Sequence, residues 1–275
     1  MRYLRPKSIP ELQEILMKEN GNDYSILAGG TDLMPRYRTG LQLPEIAIDI
    51  KILPGYCGIS EENGSIEIGA LVTIEDIRKN HLIQKDLPCL SQACHEFAGT
   101  QIRNRATIGG NICNASPAGD LLPGLYLYSA ELQLISAFGS RKLPIEDFIL
   151  GPGKTALKPG EILVSIHLKN QFDNSRFYKL GLRQSMAISV INYAMGWSVV
   201  EKSISKLAIM AGSVAPTIVS LDGCCKSFLA MENDESIAEN IAKDIFPIDD
   251  IRATAKYRQQ VLKNLILHDL RKFPG

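Results

Sequence analysis

The sequence predicts an α+β protein, and three observations carry that prediction. Strand and helix signals are mixed through its 275 residues without the regular βαβα alternation of a doubly wound sheet. Hydrophobic residues make up 45% and charged residues 22%, enough apolar material for a large core. Tight-turn signals such as Asn63-Gly64 separate runs whose apolar residues alternate with a period of two. A chain of this length holds two domains or one large one.

The elements follow in order. Ser8 and Glu11 form a capping box, Pro10 sits in the first turn, and Leu12, Ile15 and Leu16 give the first helix one apolar face. Asn20-Gly21 stops it. Short strands follow at Tyr24 to Leu27 and Ala47 to Ile50, then a hairpin turning at Asn63-Gly64 with Ile66 and Ile68 alternating. Thr73 caps a helix with Ile74 and Ile77 inside, and Pro88 to Ala98 forms the next, stopped by Gly99. Strands are expected at Glu131 to Ala137, before a turn at Gly139-Ser140, and at Glu161 to Leu168. The polar stretch Lys169 to Ser175 reads as a domain boundary. Beyond it lie apolar strands around Ala187 to Val200 and Lys206 to Ala211, then helices near Glu235 to Ile245 and Arg252 to Lys272.

Charge excludes some partners. Lys+Arg and Asp+Glu balance at 30 each, so no net field recommends nucleic acid or an anionic membrane. The N-terminus has prolines and glutamates where a secretory signal needs an apolar run. The most apolar later run, Ala187 to Val200, is interrupted by Ser189, Asn192 and Ser198 and is shorter than the roughly 20 residues of a spanning helix. A cytoplasmic protein with no membrane span is expected. Its six cysteines form no C-x-x-C, and its four histidines do not fall at zinc-ligand spacing with them. They read as reduced, mostly buried thiols, with no metal site and no iron–sulfur cluster on this chain.

Two glycine pairs carry the chemistry. "LAGGTDLM" spans Leu27 to Met34, and "TIGGNICNASPAGD" spans Thr107 to Asp120. Glycine lets the backbone approach a ligand closely, and successive exposed N–H groups form a concavity for anions. Thr31 adds a hydroxyl. The pattern is not G-x-G-x-x-G, so the Rossmann fingerprint fails. "GPGKT", Gly151 to Thr155, ends like a Walker A loop, but Phe148 stands where that motif requires glycine. One isolated Gly-Gly reads more readily as a tight turn than as a site. Two, each with hydroxyl and carboxylate neighbours, read as a binder of a phosphate-rich cofactor outside the Rossmann class.

In order, "LAGGTDLM", "EFAGTQIRNRATIGGNICNASPAGD", "GPGK", "EILVSIHL" and "FYKLGLR" resemble the FAD-binding medium subunit of the molybdenum hydroxylases. Bacterial xanthine dehydrogenases are the nearest match, with carbon monoxide and nicotinate dehydrogenases as relatives. "VAPT" (Val214 to Thr217) and Ile251 to Ile266 look like that family's C-terminal domain. The resemblance implies a vanillyl-alcohol oxidase-type FAD-binding domain over 1–170, with α/β subdomains of about 1–55 and 56–170. A smaller α+β domain would follow over 171–275. It also implies roles by position. Leu27, Ala28, Gly29, Gly30, Thr31, Asp32, Leu33 and Met34 would cradle the pyrophosphate. Thr107, Ile108, Gly109, Gly110 and Asn111 would hold its other side. Asp120 would bond ribityl or ribose hydroxyls, Phe97 and Leu163 would pack on the cofactor, and Lys179 would lie near the flavin's pyrimidine edge. The segment Gln184 to Ala187, "QSMA", lacks the acidic residue that related sequences often carry there.

No molybdopterin motif and no two-iron-cluster cysteine set occurs in the chain. The expectation is therefore an electron-transfer flavoprotein subunit of a heterotrimer, with no catalytic side chain of its own. Electrons would come from a molybdenum cofactor-binding large subunit through an iron–sulfur subunit with two two-iron clusters, and leave from FAD to NAD or another acceptor. The alternative is a free-standing flavin oxidoreductase with its own small-molecule substrate, which would need a general acid or base beside the flavin.

Overall fold

A computed structural model describes residues 1–19, 21–40 and 42–273. The chain forms two compact units. The first comprises Met1–Ile77, Gly99–Ala115 and Ser129–Lys169, and the second Arg78–Ala98, Ser116–Tyr128 and the chain from Asn170 on. The segments 78–98 and 116–128, expected with the first domain, pack with the second unit.

The first unit opens with three short parallel strands, β1 (Arg2–Leu4), β2 (Tyr24–Leu27) and β3 (Ile46–Asp49), ordered β1-β3-β2. The helix Ile9–Lys18 joins β1 to β2. Ser8 caps it by accepting the Glu11 N–H, and Leu12 and Leu16 bury themselves against Ile46 and Ile48. The Glu11 carboxylate takes the Lys7 N–H at 2.7 Å, one residue earlier than the expected capping box. Gly21 has φ +90°, suited to a helix stop, while Asn20 lies outside the described residues.

The second sheet of this unit is antiparallel. Its strands are β4 (Ile59–Glu62), β5 (Ser65–Gly69), β6 (Glu131–Ser136), β7 (Gly139–Pro144) and β10 (Ile162–Leu168), ordered β4-β5-β10-β6-β7. Asn63 at φ +52° and Gly64 at φ +73° turn β4 into β5, the paired left-handed geometry that Asn-Gly favours. The β6–β7 turn falls at Ala137-Phe138, not at Gly139-Ser140. Ser136 pairs with Gly139, and the Ser136 hydroxyl accepts the Phe138 N–H at 3.2 Å, so a side chain closes the turn two residues early. "GPGKT" is the small hairpin of β8 (Ile149–Gly151) and β9 (Lys154–Thr155), with Gly153 at φ +67° in its turn.

The second unit centres on a four-stranded antiparallel sheet, β11 (Asn174–Gly181), β12 (Ser189–Val200), β13 (Ser203–Gly212) and β14 (Val219–Ser220). Helices Asp222–Leu229, Asp234–Asp244 and Ala255–Leu270 cover it, burying Ile209, Cys224, Cys225, Ile237, Leu262 and Ile266 together. The helix Pro88–Glu96 belongs here too. Leu87 offers no capping side chain, so the Cys89 N–H goes to Tyr128 Oη at 3.3 Å and Ser175 Oγ at 3.2 Å. The six cysteines are all free; Cys57 is exposed and Cys113 half-buried. Among the described residues, no helix is long and apolar enough to cross a membrane.

A buried arginine ties the C-terminal helix to this sheet. Arg258 is 2% exposed and donates to the carbonyls of Val190 and Ser213 and, at 2.6 Å, to Asp250. Burial alone would raise the Asp250 carboxyl. Donors from Arg252, Ala253 and Arg258 outweigh it and hold that group well below the usual carboxylate range. Asp250→Asn should therefore cost about 1–3 kcal/mol, since it leaves a buried guanidinium without its counter-ion. Because the folded value is depressed, the wild-type carboxylate's contribution is present above its ordinary value of 3.8 and fades as pH falls toward the folded one. Urea unfolding of both proteins at pH 7 and pH 3 checks this: the gap between them should shrink at the lower pH.

Candidate functional site

The first glycine pair behaves as a loop. β2 ends at Leu27, and the backbone turns through Gly29 and Gly30 into the short helix Leu33–Arg38. Gly30 sits at φ +72°. Gly29 is pressed against another segment: a Cβ there would lie 2.0 Å from the carbonyl oxygen of Arg105. Only glycine fits. Arg105 also reaches back, its Nε donating to the Gly29 carbonyl at 3.4 Å. Asp32 caps nothing and instead pairs with Arg36 at 2.8 Å.

Among the described residues, no protein acceptor takes the N–H of Gly29, Gly30, Thr31 or Asp32. Backbone donors left together like this suit an anion.

The second glycine pair is not a loop. Ile108–Asn114 is a helix capped by Thr107, whose Oγ1 accepts the Gly110 N–H at 3.1 Å. The Ile108 and Gly109 N–H groups go to the carbonyls of Val72 and Ala70, and that of Asn111 goes to Thr107. The amides expected to hold a second side of a pyrophosphate are thus largely engaged within the protein. Gly110 does not have positive φ, and a Cβ at Gly109 would lie 2.7 Å from the Ala70 carbonyl. Gly109 serves close packing. Among the described residues, Asn111 Oδ1 is buried without a hydrogen-bond partner. Arg36 donates to Asn114 at 2.7 Å and ties the two glycine segments together within the first unit.

A cavity of ≈ 370 Å³ adjoins both segments. It is lined by Gly29, Thr107, Thr73, Lys51, Cys57 and Arg105, among others. A diphosphate suits the free N–H groups of the loop from Gly29 to Asp32, of which Gly29 lines the cavity. These residues fit the FAD that the sequence resemblance implies.

The remaining predicted residues lie elsewhere. Leu163 is on β10 and 5% exposed, in the first unit's interior. Phe97 follows the helix Pro88–Glu96 and is half-buried in the second unit. Asp120 and Lys179 also belong to the second unit, so the stretch Thr107 to Asp120 is divided between the two.

Asp120 and Lys179 meet each other. Lys179 Nζ lies 2.6 Å from Asp120 Oδ2, with the two side chains only 6% and 9% exposed, and donates to the Glu96 carbonyl at 3.1 Å. Asp120 Oδ1 accepts from Ser189 at 2.6 Å and Asn192 at 3.3 Å. Burial pushes the Asp120 carboxyl up, while Lys179, Ser189 and Asn192 pull it back. Ser189 and Asn192 were not foreseen as site residues. In an even strand, residues three apart face opposite sides. Here Lys179 pairs with Asn192 and Gly181 with Ser189, so the strand bulges between and turns both polar side chains to one face. The only sequence trace was their interruption of the apolar run.

Comparisons with known proteins cover most of the chain. A family model described as the FAD binding domain in molybdopterin dehydrogenase matches residues 1–169. A second, the CO dehydrogenase flavoprotein C-terminal domain, matches residues 176–272. The xanthine dehydrogenase FAD-binding subunit of Escherichia coli O157:H7 is 32% identical over 87% of this chain and 85% of its own. The nicotinate dehydrogenase FAD-subunit of Eubacterium barkeri is 34% identical over 76% and 73%. A chain of the carbon monoxide dehydrogenase from Hydrogenophaga pseudoflava superimposes with a TM-score of 0.91 at 27% identity, covering 99% of this chain and 96% of that one.

The packing role of Gly109 has a measurable consequence. Gly109→Ala should lower stability by about 2–3 kcal/mol, because the methyl meets backbone that cannot move aside. Gly110→Ala meets only the capping Thr107 Oγ1, at 2.9 Å, and should cost about 1 kcal/mol or less. Thermal unfolding of the two variants ranks them. The reverse order would remove the packing assignment.

Proposed function

The chain belongs to the FAD-binding medium subunits of the molybdenum hydroxylases, and from that premise we propose that it is the electron-transfer flavoprotein of a xanthine dehydrogenase-like complex. One observation carries the reading at the level of atoms: the row of unclaimed N–H groups from Gly29 to Asp32. When bound, FAD would supply one- and two-electron redox chemistry. The protein's residues bind and orient. The Gly29–Asp32 amides receive the diphosphate, and Asn111 accepts a hydroxyl.

Lys179 holds a positive charge in a nearly dry setting, where a neighbouring group that gains electrons would feel it. Asp120 fixes that ammonium in place, and Ser189 and Asn192 in turn fix Asp120. Asp120 thus positions Lys179, and direct bonding to ribityl or ribose hydroxyls remains its role toward the cofactor in this reading. In the assembled complex, electrons enter from an iron–sulfur subunit carrying two two-iron clusters, fed by a molybdenum cofactor-binding subunit. They leave to NAD or to another acceptor. The complex is cytoplasmic, and along the sequence a cofactor domain over 1–170 precedes a C-terminal domain over 171–275, with segments 78–98 and 116–128 packing into the second unit.

Two measurements test this. Titrated with FAD, the purified chain should form a yellow one-to-one complex that hydroxylates nothing alone. Co-expressed with the subunits encoded beside it, it should reduce NAD or a dye when substrate is supplied. A colourless chain that ignores FAD, or turnover of a small molecule by the lone chain, would overturn the reading. The Lys179–Asp120 pair adds a sign. Lys179→Met should lower the flavin midpoint potential by about 20–50 mV and Asp120→Asn should raise it, each with FAD retained. Potentials that stay still in both variants would place the pair away from the flavin.

A further inference from the structure

The cavity beside Gly29 holds two cations that the binding scheme above leaves unused. Lys51 and Arg105 both line it. Lys51 is held firmly. It follows β3, and the Asp49 carboxylate grips it twice, taking the Lys51 N–H at 3.0 Å and its ammonium at 3.0 Å. Asp49 is 1% exposed and also accepts from the Tyr3 hydroxyl. Burial would raise its carboxyl, but the Tyr3 and Lys51 donors outweigh this and hold it below the usual range, so the anchor stays ionised at neutral pH. Lys51 itself keeps 34% of its side chain exposed. Arg105 spends one N–H on the Gly29 carbonyl and, among the described residues, forms no ion pair. The one carboxylate on the cavity wall, Asp76, accepts the Thr73 hydroxyl at 2.6 Å. Lys51 is paired with Asp49 behind it, while Arg105 has no carboxylate partner among the described residues and shares the wall with the unclaimed Gly29 N–H, an arrangement that suits an anionic group.

We propose that Lys51 and Arg105 are the counter-cations of the cofactor's diphosphate, and that Asp49 is the positioning residue for Lys51. This rests on the FAD reading of the same cavity and adds the charges that recognise the ligand. It also assigns the cavity to the phosphate-bearing adenylate half of the molecule.

Full-length apoprotein is titrated with FAD, and ADP and adenosine are used as competitors. Lys51→Met and Arg105→Met should each weaken FAD and ADP about tenfold or more, while adenosine, which lacks phosphate, competes as before. Lys51→Arg and Arg105→Lys, which keep the charge, should restore most of the affinity. Raising the salt concentration should weaken ADP binding to the wild type more than to either Met variant. The exposed thiol of Cys57 lies in the same cavity, so ADP should slow its alkylation by iodoacetamide. Lys51→Met could loosen the segment around Asp49; Arg105→Met is then the deciding variant. FAD and ADP affinities within twofold of wild type in Arg105→Met, or Cys57 alkylation indifferent to ADP, would overturn the proposal and leave the flavoprotein reading standing. A wild-type chain that binds no FAD would overturn both.

Discussion

The cavity lined by Gly29 and Arg105 depends on one contact between two backbones. Gly29 lies so close to the carbonyl of Arg105 that no side chain could stand between them. That approach brings the end of β2 against the segment before Thr107. Its effect on hydrogen bonding is unequal. The second segment folds into a helix and spends its amides on Val72, Ala70 and Thr107, whereas the first is left with four donors and no acceptors. A second backbone contact, Gly109 on Ala70, seats that helix. Rigid packing thereby holds a set of unsatisfied donors in place, the usual way a fold stores affinity for an anion.

The second unit relies on buried charge. Lys179, Asp120, Arg258 and Asp250 are paired away from water, and each pair is completed by neutral donors or carbonyls. Such pairs add little net stability against an apolar alternative, since desolvation offsets the attraction. They do impose geometry. A strand register without the bulge near Val190 would leave Asp120 short of a donor, so the polar cluster selects the bulged register.

Local rules made much of this readable in advance. Ser8 with Glu11, Asn63-Gly64 and Thr73 each announce their element through short-range hydrogen bonding, and each forms where the residues indicate. The first glycine pair was legible as a loop, and Gly30 has the positive φ that such a turn uses. The second was misread as a loop because Gly-Gly lowers helix propensity. The cap from Thr107 and the seat on Ala70 supply what propensity lacks; the cap is local, but the seat on Ala70 is distant in sequence. Lys179 shows no sign of burial in its own neighbourhood; Asp120, 59 residues earlier, supplies it. Ser189 and Asn192 needed the bulge, which depends on pairing with β11. Long-range register is what a single chain, read in order, hides.

The helix Pro88–Glu96 has its first free amide capped by Ser175, 86 residues further along the chain. Gln92 in the same helix likewise receives the Phe177 N–H at 2.8 Å, from 85 residues on. A ribosome emits these partners many seconds apart. The helix must wait, with Cys89, Leu90, Ala93 and Cys94 still uncovered, until β11 emerges. A fragment ending near residue 170 would strand it permanently. The boundary that looks cleanest in the sequence is therefore a poor place to cut the gene, and the nascent chain is most exposed to aggregation while its middle waits for its end.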